Sequence, residues 1–345
     1  MAELSKNLNI SLSKYNKKFQ SNHWLYNNNK KKNLFKEKNL SNFRRNGLSY
    51  GLDDQFYSNK DTINFFKFLT KEYGTNFVFS LLENKNIGNP KNFFFKKKKY
   101  FTANELVHIK HLLDFKNYVR LKKSSIVCEI GSGYGSLISK VIKNYNCKTI
   151  LIDLPESNFL SYYYLKKIFP KKKIFINNNI KKKINLNDIK KYDILILRPW
   201  DILPNIKIDF FINSRSMMEM TYQTIDFYFK LIRKKIKKNG YFLCINRYYK
   251  DTVGYPIELE NYPFDNNWKV IVSKKSWKQE HVHYLLLKRS KNNLSDIQKE
   301  LKKIKLYSLE VKKKDNFFWR RVLPTSLYKL YKYSKYKITK IFTWN

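Results

Sequence analysis

From Ser124 to Arg289, short apolar runs alternate with longer amphipathic segments, the pattern of a parallel sheet with crossover helices. The runs predict strands over 126–130, 148–153, 172–177, 192–198, 208–213, 241–246, 268–273 and 281–287. Either 172–177 or 192–198 supplies the third parallel strand. Helices are predicted over 135–145, 156–168 and 218–238, the last stopped by the basic turn and glycine of Lys237-Lys-Asn-Gly240. Upstream, Ile63, Phe66, Phe68 and Leu69, then Leu106, Ile109, Leu112, Leu113 and Phe115, recur at helical spacing and predict a helical region over 61–122. Residues 1–60 read as a polar Lys/Asn-rich leader, and 291–345 as a basic helical tail. The expected organisation is therefore a leader (1–60), a helical N-terminal region (61–122), an α/β domain (123–290) and a tail (291–345).

Composition changes this picture little. Apolar residues make up 43% of the 345, enough for a buried core. The net charge of +43 suggests a nucleic-acid partner, but only ten of the 70 basic residues are arginine and only two residues are alanine. Codon bias toward AT-rich triplets writes such a chain, whereas a selected nucleic-acid surface favours the planar arginine fork. Nucleic acid is thus disfavoured as a partner. Three cysteines without a C-x-x-C pair give no disulfide framework and fit a reducing, cytoplasmic setting. No secretory signal opens the chain, and no apolar stretch reaches the length of a membrane span.

The chemistry concentrates in Ile126-Val-Cys-Glu-Ile-Gly-Ser-Gly-Tyr-Gly-Ser136. A strand runs into Glu129, then Gly131, Ser132, Gly133 and Gly135, then an amphipathic helix. Glycines let such a turn bend sharply and approach a ligand closely. The spacing departs from the dinucleotide fingerprint and matches the first motif of class I methyltransferases. The next strand ends in Asp153, about 20 residues on, where an acid can accept both hydroxyls of a ribose.

This run, together with Leu151-Ile-Asp-Leu-Pro-Glu156 and Phe159-Leu-Ser-Tyr-Tyr-Tyr-Leu165, resembles the family of sugar O-methyltransferases from bacterial surface-glycan clusters. Ile212-Asn-Ser-Arg-Ser-Met-Met-Glu-Met220, Ile245-Asn-Arg-Tyr-Tyr249, Ser276-Trp-Lys-Gln-Glu-His-Val-His283 and an upstream Phe43-Arg-Arg-Asn-Gly-Leu-Ser-Tyr-Gly-Leu-Asp-Asp54 extend the likeness over about 40–290. It implies a Rossmann-like sheet, mostly parallel with an antiparallel last strand, carrying helical extensions at both ends. It also implies S-adenosyl-L-methionine as cofactor and a sugar, nucleotide-sugar or glycan acceptor. Glu129, Gly131, Ser132, Gly133 and Gly135 then fall on the methionine-binding turn, Asp153 on the ribose and Leu154 along the adenine. Arg198-Pro-Trp-Asp201 sits where the superfamily often contacts adenine, with Trp200 equally readable as core.

Ligands of open parallel sheets bind beyond the carboxyl ends of the strands. That rule selects the segment after 208–213, the segment after 241–246, and the hairpin from Lys274 to His281. His281, at the mouth of that hairpin, and Glu219, near the start of helix 218–238, compete as general base for a sugar hydroxyl. His283, two residues deeper, reads as packed or hydrogen-bonded. Arg215 and Arg247 stand out in an arginine-poor chain and suit a carboxylate or phosphate, with an ordinary salt bridge as the alternative. Tyr249 or Tyr248 could stack on a sugar ring. No metal constellation is visible. An RNA acceptor is the alternative within the same chemistry. The aromatic, basic C-terminal stretch suggests peripheral contact with an anionic inner membrane face.

Overall fold

The runs Val127–Ile130, Thr149–Ile152 and Ile194–Leu197 are almost free of charge, and all three are buried. Strands buried on both faces must be covered by helices, and such strands form the centre of a parallel sheet. The computed structural model describes residues 19–31, 37–46, 48, 57–90, 94–177, 183–290 and 296–322. It divides into two compact units, one from the described residues of 28–212 and the other from 19–27 and 213–322.

In the first unit, helices α1 (Asn59–Tyr73), α2 (Thr75–Leu81) and α3 (Ala103–Lys116) precede the sheet. Capping boxes start α1 and α3: Ser58 with Asp61, and Thr102 with Glu105, each satisfy two otherwise orphaned N–H groups. A short hairpin, β1 (Phe94–Lys96) and β2 (Lys99–Phe101), interrupts this region. The helical expectation for 61–122 missed it, because its turn uses Lys97 and Lys98 at positive φ instead of the usual glycine or asparagine.

The sheet of this unit has the order β7-β3-β4-β6-β5, with β3 (Ile126–Ile130), β4 (Lys148–Ile152), β5 (Ile174–Ile176), β6 (Ile194–Leu197) and β7 (Ile208–Ser214). The pairs β3–β4, β4–β6 and β5–β6 are parallel. Both candidates for the third strand are strands. The fully buried β6 takes the place beside β4, and the three-residue β5 lies at the edge. Helices α4 (Ser136–Tyr145), α5 (Pro155–Ile168) and α6 (Leu186–Lys191) make the crossovers.

The second unit holds α7 (Tyr222–Lys235), β8 (Ile236–Arg247), the small hairpin β9 (Tyr249–Asp251) and β10 (Pro256–Glu258), β11 (Trp268–Ser276), β12 (Gln279–Arg289) and α8 (Asp296–Val322). Strand β12 runs antiparallel to both β8 and β11, as expected of the last strand. The predicted helix 218–238 is shorter at both ends. Thr221 caps its start, accepting from the Thr224 N–H, and Ile236 turns extended and buried. Lys237-Lys-Asn239 is therefore an exposed stretch of β8 followed by a buried Gly240, with Asn239 at φ +62°, and not a helix stop. The last two strands also reach further than predicted, meeting across the two-residue turn Trp277-Lys278.

Parts of the leader, residues 47 and 49–54 of the upstream family segment, and the tail from 323 lie outside the described residues, as do the side chains from 315 to 322. The expected membrane contact of the tail falls there. Among the described residues, no helix is long and apolar enough to cross a membrane.

Candidate functional site

In the first unit, the chain leaves β3 through Gly131, Gly133 and Gly135 at φ +71°, +57° and +90°. All three are in the left-handed half of conformational space, which costs an L side chain energy. At Gly135 an added Cβ would also stand 3.3 Å from the Leu165 side chain. The turn thus needs the residues the motif supplies.

The carboxylate of Asp153 ties this turn to the end of β4. One oxygen accepts the Gly133 N–H at 2.7 Å and the other accepts the Leu154 N–H at 2.7 Å. The Gly131 N–H donates to the Ile152 carbonyl at 2.8 Å. Ser161 Oγ donates to the Gly133 carbonyl at 2.7 Å. Asn158 Nδ2 bridges the carbonyls of Asp153 and Leu197, joining the ends of β4 and β6. Sequence reasoning missed Asn158 and Ser161. Their signal was two small polar residues on the buried side of an otherwise aromatic helix.

Glu129 is 2% exposed, and its Oε2 has no hydrogen-bond partner. Burial, with the Asp153 charge adding to it, pushes this carboxyl well above the ordinary range. Ser132 Oγ is likewise buried without a partner. A buried acid with one oxygen lacking a donor and a buried hydroxyl beside a glycine turn fit a small polar ligand that brings a cation and hydroxyls. Leu154 is 8% exposed and precedes Pro155 at the start of α5. Arg198 pairs with Asp201 at 2.7 Å, Asn177 donates to Asp201 at 3.0 Å, and the Arg198 guanidinium lies 5.7 Å from the Trp200 ring centre. The Arg198–Asp201 segment is thus a self-bonded turn at the carboxyl end of β6.

In the second unit, two fully buried asparagines organise the strand ends. Asn246 Nδ2 donates to Asn213 Oδ1 at 2.9 Å, while Asn213 Oδ1 accepts the Met217 N–H and Asn246 Oδ1 the Met218 N–H. They pull the 3₁₀ turn Met217–Glu219 onto the end of β8 and hold Arg215 at φ +58°. A lone Asn closing each of two apolar strands was the available signal.

Glu219 pairs with Lys250, and its carbonyl accepts from Ser21 Oγ. It sits ahead of the helix, which starts at Tyr222. His281 is exposed and lies within β12, three residues past the hairpin turn and not at its mouth. Its carbonyl accepts the Tyr248 N–H, and the neighbouring Val282 pairs with Arg247. The Arg247 N–H in turn points to Met218 Sδ at 3.4 Å. His281, Arg247 and the 217–219 turn are therefore neighbours. Arg247 Nε is buried without a hydrogen-bond partner. Tyr249 is half-buried, with the Lys312 ammonium 5.2 Å from its ring centre. Tyr248 is buried and hydrogen-bonded to His283 Nδ1. His283 Nε2 lies 2.7 Å from Ser273 Oγ, which donates to Glu300. Burial lowers the His283 pKa to about 3, so its imidazole is neutral and structural.

No known protein family matches the chain, and no curated protein does. Among solved structures it is similar to mitomycin 7-O-methyltransferase MmcR, with 13% identity over 55% of this chain and 57% of that one, at a TM-score of 0.35. It is similar to a methyltransferase from Pyrococcus furiosus, with 11% identity over 66% and 95%, at 0.35. An RNA methyltransferase from Salinibacter ruber in complex with S-adenosyl-L-homocysteine gives 7% identity over 55% and 95%, at 0.34. None of these likenesses is close enough to assign an activity.

Proposed function

We propose that the chain is an S-adenosylmethionine-dependent O-methyltransferase whose acceptor is a hydroxyl of a sugar or surface-glycan precursor. The observation that carries the cofactor reading is the three-glycine turn bound through its Gly133 N–H to Asp153. Each carboxylate oxygen there accepts a backbone N–H, and an ionised carboxylate oxygen can accept more than one hydrogen bond, as the pair of ribose hydroxyls requires. Glu129 would hold the cationic end of the methionine portion, and Leu154 would lie along the adenine. The sugar acceptor rests on the sequence resemblance alone.

The cofactor supplies a methyl group already made electrophilic by its sulfonium. The protein's task is to align the acceptor oxygen and take its proton. In this reading His281 is the base: it is the exposed imidazole beside Arg247, whereas Glu219 is engaged by Lys250. Arg215, Arg247 and Tyr249 bind the acceptor. His281→Ala should slow methyl transfer about a hundredfold, the lower end of general-base effects, and leave cofactor affinity unchanged. Glu219→Gln should slow it less, and a larger loss for Glu219→Gln reverses the assignment.

Binding of S-adenosylhomocysteine by calorimetry, then mass spectrometry of nucleotide sugars incubated with the protein and S-adenosylmethionine, tests the proposal. No binding removes the cofactor, and methylated RNA with untouched sugars removes the acceptor.

A pH signature follows from Glu129. The free protein favours its protonated form, while a ligand ammonium favours the carboxylate. Binding therefore expels a proton and tightens as pH rises toward the raised pKa of the free protein. Calorimetry in buffers of different ionisation heat should give proton release that vanishes in Glu129→Gln. Proton uptake by the wild type would contradict this placement of the ammonium.

A further inference from the structure

The glycine turn carries one bulky residue, Tyr134, and it is 2% exposed. Its ring is held by the 43–44 segment and by α5 of the same unit. Phe43 meets it edge-on at 5.3 Å, Tyr164 at 4.9 Å, and the Arg44 guanidinium carbon lies 5.3 Å from its centre. Asp153 and Ser161 fix the Gly133 peptide, so the Tyr134 ring is a separate hold on the same turn.

Arg44 is itself built into place. Its N–H donates to the Gly88 carbonyl at 2.9 Å, and Nη2 donates to Thr102 Oγ1 at 3.2 Å. The carboxyl groups of Glu83 and Glu105 stand 3.9 Å from its two terminal nitrogens. Gly88 is at φ +78°, and a Cβ there would lie 2.3 Å from the Phe43 ring and 2.8 Å from Arg44 Cγ. The 43–44 segment is thus pressed onto a glycine backbone on one side and a tyrosine of the turn on the other.

We propose that Arg44 is a positioning residue for the cofactor: by clamping the Tyr134 ring it sets the backbone of Gly133 and Gly135 in the conformation that binds. The inference rests on the cofactor reading above. It gives the leader residues Phe43 and Arg44, seated on Gly88 and Thr102 of the helical region, a task in binding, although Arg44 touches no ligand.

The test is S-adenosylhomocysteine calorimetry on Arg44→Met, Arg44→Lys, Gly88→Ala and Phe66→Leu, with hydrogen exchange on the same proteins without ligand. Arg44→Met should weaken binding about tenfold, the scale of one desolvated cation–π contact. Arg44→Lys, which keeps the charge, should recover part of that loss. Gly88→Ala alters no charge, yet should weaken binding similarly by displacing Phe43 and Arg44. Phe66 packs on Phe101 and Phe79, so Phe66→Leu should cost stability and, with the Arg44–Tyr134 contact kept, leave affinity within about twofold.

Exchange at Gly133, Tyr134 and Gly135 should quicken in the Arg44 and Gly88 variants while β4 and β6 stay protected. Wild-type affinity in the folded Arg44 and Gly88 variants overturns the proposal, as does an equal loss in Phe66→Leu. If Arg44→Met does not fold, Arg44→Lys and Gly88→Ala decide. If the wild type itself binds no S-adenosylhomocysteine, the cofactor reading fails, and unchanged exchange at the turn would then reject the clamp separately.

Discussion

Asp153→Ala is expected to weaken S-adenosylhomocysteine binding about a thousandfold, from two losses of about 1.5–3 kcal/mol each for hydrogen bonds to a charged group. The first is the ribose, whose hydroxyls would lose an ionised acceptor. The second is the turn, because Gly133 loses the carboxylate that accepts its N–H at 2.7 Å. Asp153→Asn separates them. An amide oxygen can still accept one N–H, so the turn is partly kept while the charge is removed, and this variant should fall between alanine and wild type. The fold should survive both changes, since β4 is paired on both sides through Ile152. Calorimetry at neutral pH measures the effect. Binding of the alanine variant within tenfold of wild type would mean that the ribose lies elsewhere, and with it the cofactor pocket.

The strands around this turn were legible because their apolar runs are short, uncharged and bounded, and a buried parallel strand needs nothing else. The glycine turn was legible because three positive-φ positions in five residues restrict the residue type. Asn158, Ser161, Asn213 and Asn246 were not singled out, although they hold the strand ends together. Each depends on a partner distant in sequence or on which side of an element is buried, and a local pattern carries neither. The boundary at 235–240 failed for a related reason. A basic turn followed by glycine is a good helix stop locally, but the burial of Ile236 and the pairing of β8 with β12 decide otherwise. His281 was placed at a hairpin mouth because the pattern could not tell how far β11 and β12 extend.

The charged cluster behind the turn was not legible at all, since Arg44, Glu83, Glu105 and Lys140 come from four separate segments. All four side chains are at most 1% exposed. Lys140 Nζ lies 3.0 Å from Glu105 Oε1 and 3.7 Å from Glu83 Oε1, and Tyr164 donates to Glu83. Burial, then the neighbouring Glu105 charge, raises Glu83 to about 8. Burial also opposes ionisation of Glu105, but the Lys140 and Arg44 charges with hydrogen bonds from Glu83 and Lys140 outweigh it and hold that carboxyl below the ordinary range. At neutral pH the pair therefore carries one proton, on Glu83.

Lys140→Met should cost about 3–5 kcal/mol, the usual penalty for stripping one partner from a buried ion pair, because Glu105 keeps its charge without its nearest cation, leaving Arg44 at 3.9 Å and Lys143. Glu83→Gln should behave differently, since an amide resembles the protonated acid already present. A folded-state pKa above the ordinary 4.5 means that the contribution of Glu83 is full below that value and is lost as pH rises toward about 8. The wild type should thus lose stability relative to Glu83→Gln between those limits. Lys143, which burial lowers to about 7 against the pull of the Glu83 and Glu105 charges, has the opposite trend above that value, so the interval from pH 5 to 6.5 reads Glu83 most directly. Urea denaturation at pH 5, 6.5 and 8 measures both effects. A loss below about 1 kcal/mol for Lys140→Met would mean that Glu105 takes up a proton in its place, since an uncompensated buried carboxylate costs more than that. Parallel pH curves for wild type and Glu83→Gln would move the shared proton off Glu83.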